Sequence, residues 1–220
     1  MKRVLVVDDE PQILRALRVV LSDAGYEAVP AATAEEALDR AAVRPPDAAI
    51  IDLVLPDGDG IEVTRTLREW SDMPIIVLSA VGEEGEKVRA LEAGADDYVT
   101  KPFGPRELVA RLGAALRRAG RPADEPAIHS GDLEVDLAAR VVRVAGEEVH
   151  LTPIEFDLLR TLARNRGRLL THRALLVEVW GPEYASDTAV LRTHIANLRR
   201  KIGSAHIRTD PGVGYRFTES

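Results

Sequence analysis

The chain has 220 residues, 45% of them hydrophobic, enough for one large domain or two ordinary ones with real cores. It contains no cysteine, which excludes disulfides and thiolate metal sites and fits a reducing compartment. The net charge of −7 excludes a uniformly basic nucleic-acid binder, yet residues 160–216 hold eleven Lys and Arg against four Asp and Glu, a local excess that a phosphate backbone would feel. Only four apolar residues separate the opening MKR from Asp8, and no apolar run reaches membrane-spanning length, so a soluble cytoplasmic protein is expected.

The first half alternates strand and helix patterns. VLVV (4–7) reads as a short buried strand, followed by a helix with Ile13, Leu14, Leu17, Val20 and Leu21 at spacings of three and four. Thr33 and Glu36 carry a capping-box signature before Ala37 and Leu38. DAAII (47–51) is a second apolar strand, and Gly58 and Gly60 mark the loop before a helix holding Ile61, Val63 and Leu67. IIVL (75–78) and DDYVT (96–100) are further strands, with helical patterns at 83–93 and 105–118. Such alternation predicts a doubly wound parallel sheet, an α/β fold.

Each apolar strand closes on a reactive group: Asp8-Asp9, Asp52, Ser79 and Lys101. In an open parallel sheet these C-terminal strand ends share one edge, where ligands bind. Three carboxylates in one pocket repel one another unless a cation sits among them, and hard oxygen ligands without Cys or His suit Mg²⁺. A lysine beside them suits a phosphoryl group. The set reads as a site for phosphorylating an aspartate.

The motifs VDDE (7–10), IIDLVLPDGDG (50–60), VLSA (77–80) and GADDYVTKPF (94–103) together resemble the receiver domain of bacterial response regulators. The resemblance covers residues 1–118 and implies a five-stranded sheet with Asp52 as phosphoacceptor. It implies that Asp9 and the Val54 carbonyl join Asp52 on Mg²⁺, with Asp8 assisting through water. Lys101 and Ala80 then lie at the phosphoryl group, and Ser79 and Tyr98 form the switch pair. It also implies a symmetric homodimer when phosphorylated, with Lys87 pairing Glu107 and Asp97 pairing Arg111 across the interface. No nucleotide-binding loop is present, so the phosphodonor must come from outside; the chain is read as a regulator and not an enzyme.

AGRPADEPA (119–127) reads as a linker. Beyond it, LEVDL, VVRVAG and EEVHL (133–151) read as short antiparallel strands, with a turn near Ala145-Gly146. Thr152, Pro153 and Glu155 announce a helix with Phe156, Leu158, Leu159 and Leu162 on its apolar side. Thr171 opens a second helix, which Gly181-Pro182 ends. Ser186 and Asp187 open a third, with Leu191, Ile195, Leu198 and Ile202 on one stripe and Arg192, Thr193, Asn197, Arg199 and Arg200 on other faces. IRTD-PGVG-YRF then forms a hairpin around Gly212 and Gly214.

Three helices and a hairpin are the order of a winged helix-turn-helix. LTPIEFDLL (151–159), the L-R-x-x-I-x-x-L-R-x-K pattern (191–201) and GVGYRF (212–217) resemble the OmpR/PhoB-type effector domain over 128–220. Arg192, Thr193, Asn197 and Arg199 are the candidate base readers, and Arg200 and Lys201 the candidate phosphate contacts. Pro211 stands before the wing turn where some family members carry arginine, leaving Arg208 or Arg216 for the wing contact.

The resemblance implies a sensor histidine kinase as phosphodonor, and promoter DNA and RNA polymerase as partners. LPDGDGIE (55–62), VDLAARVV (135–142), VHLTPIEFDLL (149–159) and VWGP (179–182) are more similar to the Kdp branch, regulators of potassium uptake, than to the family at large. Control of a Kdp-type operon is the expected role; the alternatives are a different regulon, or a protein-interaction module that does not act on DNA. The five histidines show no metal-ligand spacing.

Overall fold

The structure is a computed structural model that describes residues 1–80, 84–119 and 127–218. Apart from its two ends, the expected linker lies outside the described residues. The chain divides into two compact units, Met1–Ala119 and Gly120–Ser220.

In the first unit, chain order is β1 (Lys2–Val7), α1 (Pro11–Asp23), β2 (Tyr26–Ala31), α2 (Ala34–Val43), β3 (Ala48–Asp52), β4 (Val54–Leu55), β5 (Gly58–Asp59), α3 (Gly60–Arg68), β6 (Ile75–Ser79), α4 (Glu84–Glu92), β7 (Asp97–Thr100) and α5 (Pro105–Ala119). Five strands form one sheet in the order β2-β1-β3-β6-β7, and every neighbouring pair is parallel. The strands are apolar runs because both sheet faces are covered. On one face Val4, Val6, Ile50, Ile76, Leu78 and Val99 pack with Leu17, Leu21, Leu108, Leu112 and Leu116.

Local chemistry accounts for the element ends. Thr33 accepts a hydrogen bond from the Glu36 amide and caps α2, but the Glu36 carboxylate turns to the amide of Ala32, so the expected reciprocal box is only half made. Gly58 and Gly60 do not sit in an open loop. Gly58–Asp59 pair antiparallel with Val54–Leu55, and α3 starts at Gly60. A Cβ on Gly60 would lie 2.0 Å from the Asp52 carbonyl oxygen, so only glycine lets α3 start this close to the end of β3. Arg68 is buried, donating to the Gly94 and Met73 carbonyls and to Asp96 at 2.5 Å, just before the starts of β6 and β7.

The second unit begins with four short antiparallel strands, β8 (Ile128–Ser130), β9 (Leu133–Asp136), β10 (Val141–Val144) and β11 (Glu147–Glu148), in the order β11-β10-β9-β8. Strand β8 was not anticipated from sequence, and the expected third strand, EEVHL, shrinks to two residues. Ala145 and Gly146 have φ of +52° and +87°, the left-handed pair that closes a two-residue hairpin.

Helix α6 (Pro153–Arg164) carries the complete capping box, with Thr152 and Glu155 each accepting the other's amide and Pro153 in the first turn. Strand β12 (Leu169–Thr171), also unanticipated, leads into α7 (His172–Val179), capped by Thr171. Helix α8 (Thr188–Ile202) starts after Asp187, whose side chain makes no capping bond to it. The hairpin β13 (Ile207–Asp210) and β14 (Gly214–Phe217) adds β12 to make a three-stranded sheet. A Cβ on Gly214 would lie 1.9 Å from the Leu170 carbonyl oxygen, so this glycine lets β12 join the wing.

Candidate functional site

The parallel sheet brings its strand ends together as the apolar runs require. Asp8 follows β1, Asp52 ends β3, Ser79 ends β6 and Lys101 follows β7. Carboxylate oxygens of Asp8, Asp9 and Asp52 all lie within 4.8 Å of one another. Asp8 is fully buried, Asp52 nearly so, and Asp9 faces solvent. The Lys101 Nζ stands 2.8 Å from Asp8 Oδ2 and 2.9 Å from Asp52 Oδ2, bridging two of the three.

Burial pushes the Asp52 carboxyl above the ordinary carboxylate range; the Lys101 hydrogen bond and charge and the Val54 amide act against this, and the Asp8 charge adds to it. Burial works against the Lys101 ammonium, but hydrogen bonds and charges from Asp52 and Asp8 outweigh it and raise its pKa. One lysine among three carboxylates leaves negative charge uncompensated, and the donor set is all hard oxygen, which fits Mg²⁺. Ser79 is 1% exposed and its Oγ has no hydrogen-bond partner among the described residues, a donor that a phosphoryl oxygen would satisfy. By register Asp52 pairs with Leu78 and Ser79 with Thr100, so Asp52, Ser79 and Lys101 occupy neighbouring positions on one edge.

In the second unit α6, α7 and α8 pack on one another, and the wing strand β14 packs on α6. Helix α8 exposes Ala189, Arg192, Ala196 and Arg200, with Thr193 partly exposed beside them. This i, i+3, i+4, i+7, i+11 row is a face that can enter a groove.

Two families match the chain: the response regulator receiver domain over residues 4–113, and the C-terminal domain of transcriptional regulatory proteins over 146–217. The transcriptional regulatory protein KdpE of Mycobacterium tuberculosis is 52% identical to this chain, and the match spans 99% of both. The chain is an OmpR/PhoB-type response regulator. A phosphorylation-activated, DNA-binding transcription regulator is therefore its class. The regulator is also 50% identical to the KDP operon transcriptional regulatory protein KdpE of Escherichia coli K12, over 99% of both chains. Among solved structures, DrrB of Thermotoga maritima, an OmpR/PhoB homologue, matches with a TM-score of 0.55 and 32% identity over 99% of both chains. A RitR mutant matches with a TM-score of 0.80 and 26% identity over 100% of both.

Several residues sit in this response regulator otherwise than expected. Asn197, expected to read bases, is 2% exposed and accepts a hydrogen bond from Arg200 at 3.1 Å, so it faces the interior. Arg199, also expected to read bases, donates to the Ile207 carbonyl and the Thr209 hydroxyl of the wing. Lys201, expected to contact phosphate, lies 2.6 Å from the buried Glu155 carboxylate of the capping box. Each is occupied by the protein itself. Arg192 is exposed and donates to Thr188 of its own helix, while Thr193 donates to the Ala189 carbonyl. Arg208 is exposed; Arg216 donates to the Gly167 carbonyl and stands 3.5 Å from Asp210.

On the α4–β7–α5 side, Arg111 contacts two acids within its own chain: Asp97 at 3.2 Å and Glu107 at 3.0 Å. The Lys87 Nζ lies 4.9 Å from the centre of the Tyr98 ring. The expected Asp97–Arg111 pairing between subunits is thus already made within one chain. Ala80 is exposed just after β6.

Proposed function

We propose that this regulator accepts a phosphoryl group on Asp52 from a sensor histidine kinase and, once phosphorylated, binds promoter DNA as a dimer. The observation that carries the reading is the edge holding Asp8, Asp9, Asp52, Lys101 and the buried Ser79 hydroxyl. Asp52, which Lys101 bridges to Asp8, is the nucleophile. It forms a bond to the phosphorus of the donor's phosphohistidine while the phosphorus–nitrogen bond breaks and the nitrogen leaves with the electron pair. Lys101 offsets negative charge on the phosphoryl oxygens, and Ser79 donates its hydroxyl to one of them. Asp9, Asp52 and the Val54 carbonyl would hold Mg²⁺, with Asp8 assisting; when bound, the ion supplies Lewis-acid stabilisation of the same oxygens.

When Ser79 moves to the phosphoryl group, Tyr98 leaves its place beside Lys87 and turns inward. The α4–β7–α5 face then pairs with its copy, exchanging the internal Arg111–Asp97 contact for one between subunits and leaving Lys87 for Glu107. A two-fold interface uses each pair twice. On DNA, Arg192 and Thr193 face the bases from the α8 row, Arg200 meets phosphate, and Arg208 serves the wing. RNA polymerase is recruited by the bound dimer.

The regulon proposed is a high-affinity potassium-uptake operon, supported by 52% and 50% identity to two KdpE proteins over nearly the whole chain. The assignment rests on this likeness and not on potassium-binding chemistry, so potassium sensing is assigned to the partner kinase. Deleting the regulator should abolish induction of potassium-pump transcripts when external potassium falls, and an Asp52→Asn copy should not restore it. Normal induction in the deletion strain removes the regulon assignment and leaves the phosphorylation reading intact.

A further inference from the structure

We propose that Arg199 is a positioning residue that fixes the wing against the DNA-reading helix, setting the register in which both reach a duplex. This rests on the DNA-binding reading above. Arg199 lies in the last turn of α8, and its Nε and Nη2 donate to the Ile207 carbonyl at 3.1 and 2.6 Å. Nη2 also donates to Thr209 Oγ1 at 2.8 Å. The guanidinium carbon stands 5.7 Å from the centre of the Tyr215 ring, within cation–π range. Ile207 and Thr209 belong to β13 and Tyr215 to β14, and Thr209 pairs directly with Tyr215. One planar group therefore grips both strands of the hairpin.

The opposite side of the wing is braced too. Its tip carbonyl, Val213, accepts from the His172 amide at the start of α7, and β12 pairs along β14. Arg199 supplies the connection to α8, the element that carries the exposed row. Burial raises the Tyr215 phenol pKa, with the Arg199 and Arg192 charges acting against it. Arg192, in the exposed row, is thus electrostatically close to the ring that Arg199 holds.

The alternative role, reading a base, would break all of these contacts. The geometry also demands arginine: a lysine ammonium is a point donor and cannot hold a carbonyl bidentately while reaching a hydroxyl.

The test uses the full chain. Amide hydrogen exchange is followed in the free protein for wild type, Arg199→Ala and Arg199→Lys. Both variants should raise exchange across 207–217 by about tenfold or more, the scale of losing charge-assisted hydrogen bonds, while α6 and α8 stay protected. Next, a duplex selected from a random pool by phosphorylated wild type is footprinted with hydroxyl radicals. Arg199→Lys should lose the protections made by the wing, keep those made by α8, and weaken binding to every single-base variant alike. Thr209→Val should weaken the wing protections and Thr209→Ser should retain them, a pattern that general destabilisation does not produce. Should Arg199→Ala fail to fold, Arg199→Lys and Thr209→Val carry the test.

Unchanged exchange in the hairpin overturns the proposal. So does a preference relaxed at one base pair with the wing protections intact. If wild type selects no duplex, the DNA-binding reading fails, while the exchange measurement still decides whether Arg199 holds the wing.

Discussion

Replacing Gly60 by alanine should damage the phosphorylation site without touching any of its side chains. The added Cβ would stand 2.0 Å from the Asp52 carbonyl oxygen and 2.9 Å from the Asp52 carbonyl carbon and Leu53 Cα, all backbone atoms. Real contacts of this kind are not found below 3.0 Å, so something must move by about 1 Å. Neither side yields easily. Asp52 is in register with Leu78, the Leu53 amide donates to the Leu78 carbonyl, and the Gly60 amide donates to Leu53. The cost should reach the upper end of the overpacking range, about 3 kcal/mol, and lower the unfolding midpoint of the receiver by about 10 °C. The displaced backbone carries Asp52, so phosphoryl uptake should fall as well. Calorimetry and intact-mass measurement after incubation with acetyl phosphate and Mg²⁺ check both. A Gly60→Ala protein with wild-type midpoint and wild-type uptake refutes the close approach of α3 to the acceptor.

Three further outcomes follow from the geometry. Burial raises the Asp52 pKa in the metal-free protein, so its carboxyl should take up a proton above the ordinary carboxylate range; Lys101→Met removes an opposing charge and should move that midpoint higher still. Carboxyl chemical shifts followed against pH without Mg²⁺ check this, and an unmoved or lowered midpoint counts against it. Mg²⁺ should stabilise the wild type by about 2.7 kcal/mol at a hundredfold excess over its dissociation constant, and much less in Asp9→Asn, as read by thermal unfolding with and without a chelator. Lys201→Ala should cost about 1–3 kcal/mol of stability by stripping a partner from buried Glu155, whereas Arg200→Ala should weaken binding to specific and scrambled duplexes alike and reduce the salt slope by about one. Urea unfolding and salt-dependent titration separate the two, and reversed roles would contradict these placements.

The parallel sheet was legible because VLVV, DAAII and IIVL are apolar runs too short for helices, each ending on a polar group. Their shared edge followed from fold logic, so Asp8, Asp9, Asp52 and Lys101 could be grouped before any coordinate was known. Strands β8 and β12, three residues each, are too short to show a period and exist through pairing with β9 and β14. The fate of Asn197 was hidden by counting one stripe on α8. That helix packs against both α6 and α7, so its buried arc is wider than Leu191, Ile195, Leu198 and Ile202. Val190, His194 and Asn197 form a second buried row at spacings of four and three. Arg199, Lys201 and Arg111 look like free surface cations in sequence because their partners, Ile207, Glu155 and Asp97, lie 8, 46 and 14 residues away.

The central claim is that charge on Asp52 controls DNA binding. Its most direct measurement is the affinity for a selected duplex before and after incubation with acetyl phosphate and Mg²⁺, with intact mass recorded on the same samples. Wild type should gain one phosphoryl group and bind more tightly; Asp52→Asn should gain none and show no change in affinity. Undiminished phosphate uptake by Asp52→Asn, or tightening of DNA binding without it, would contradict the account.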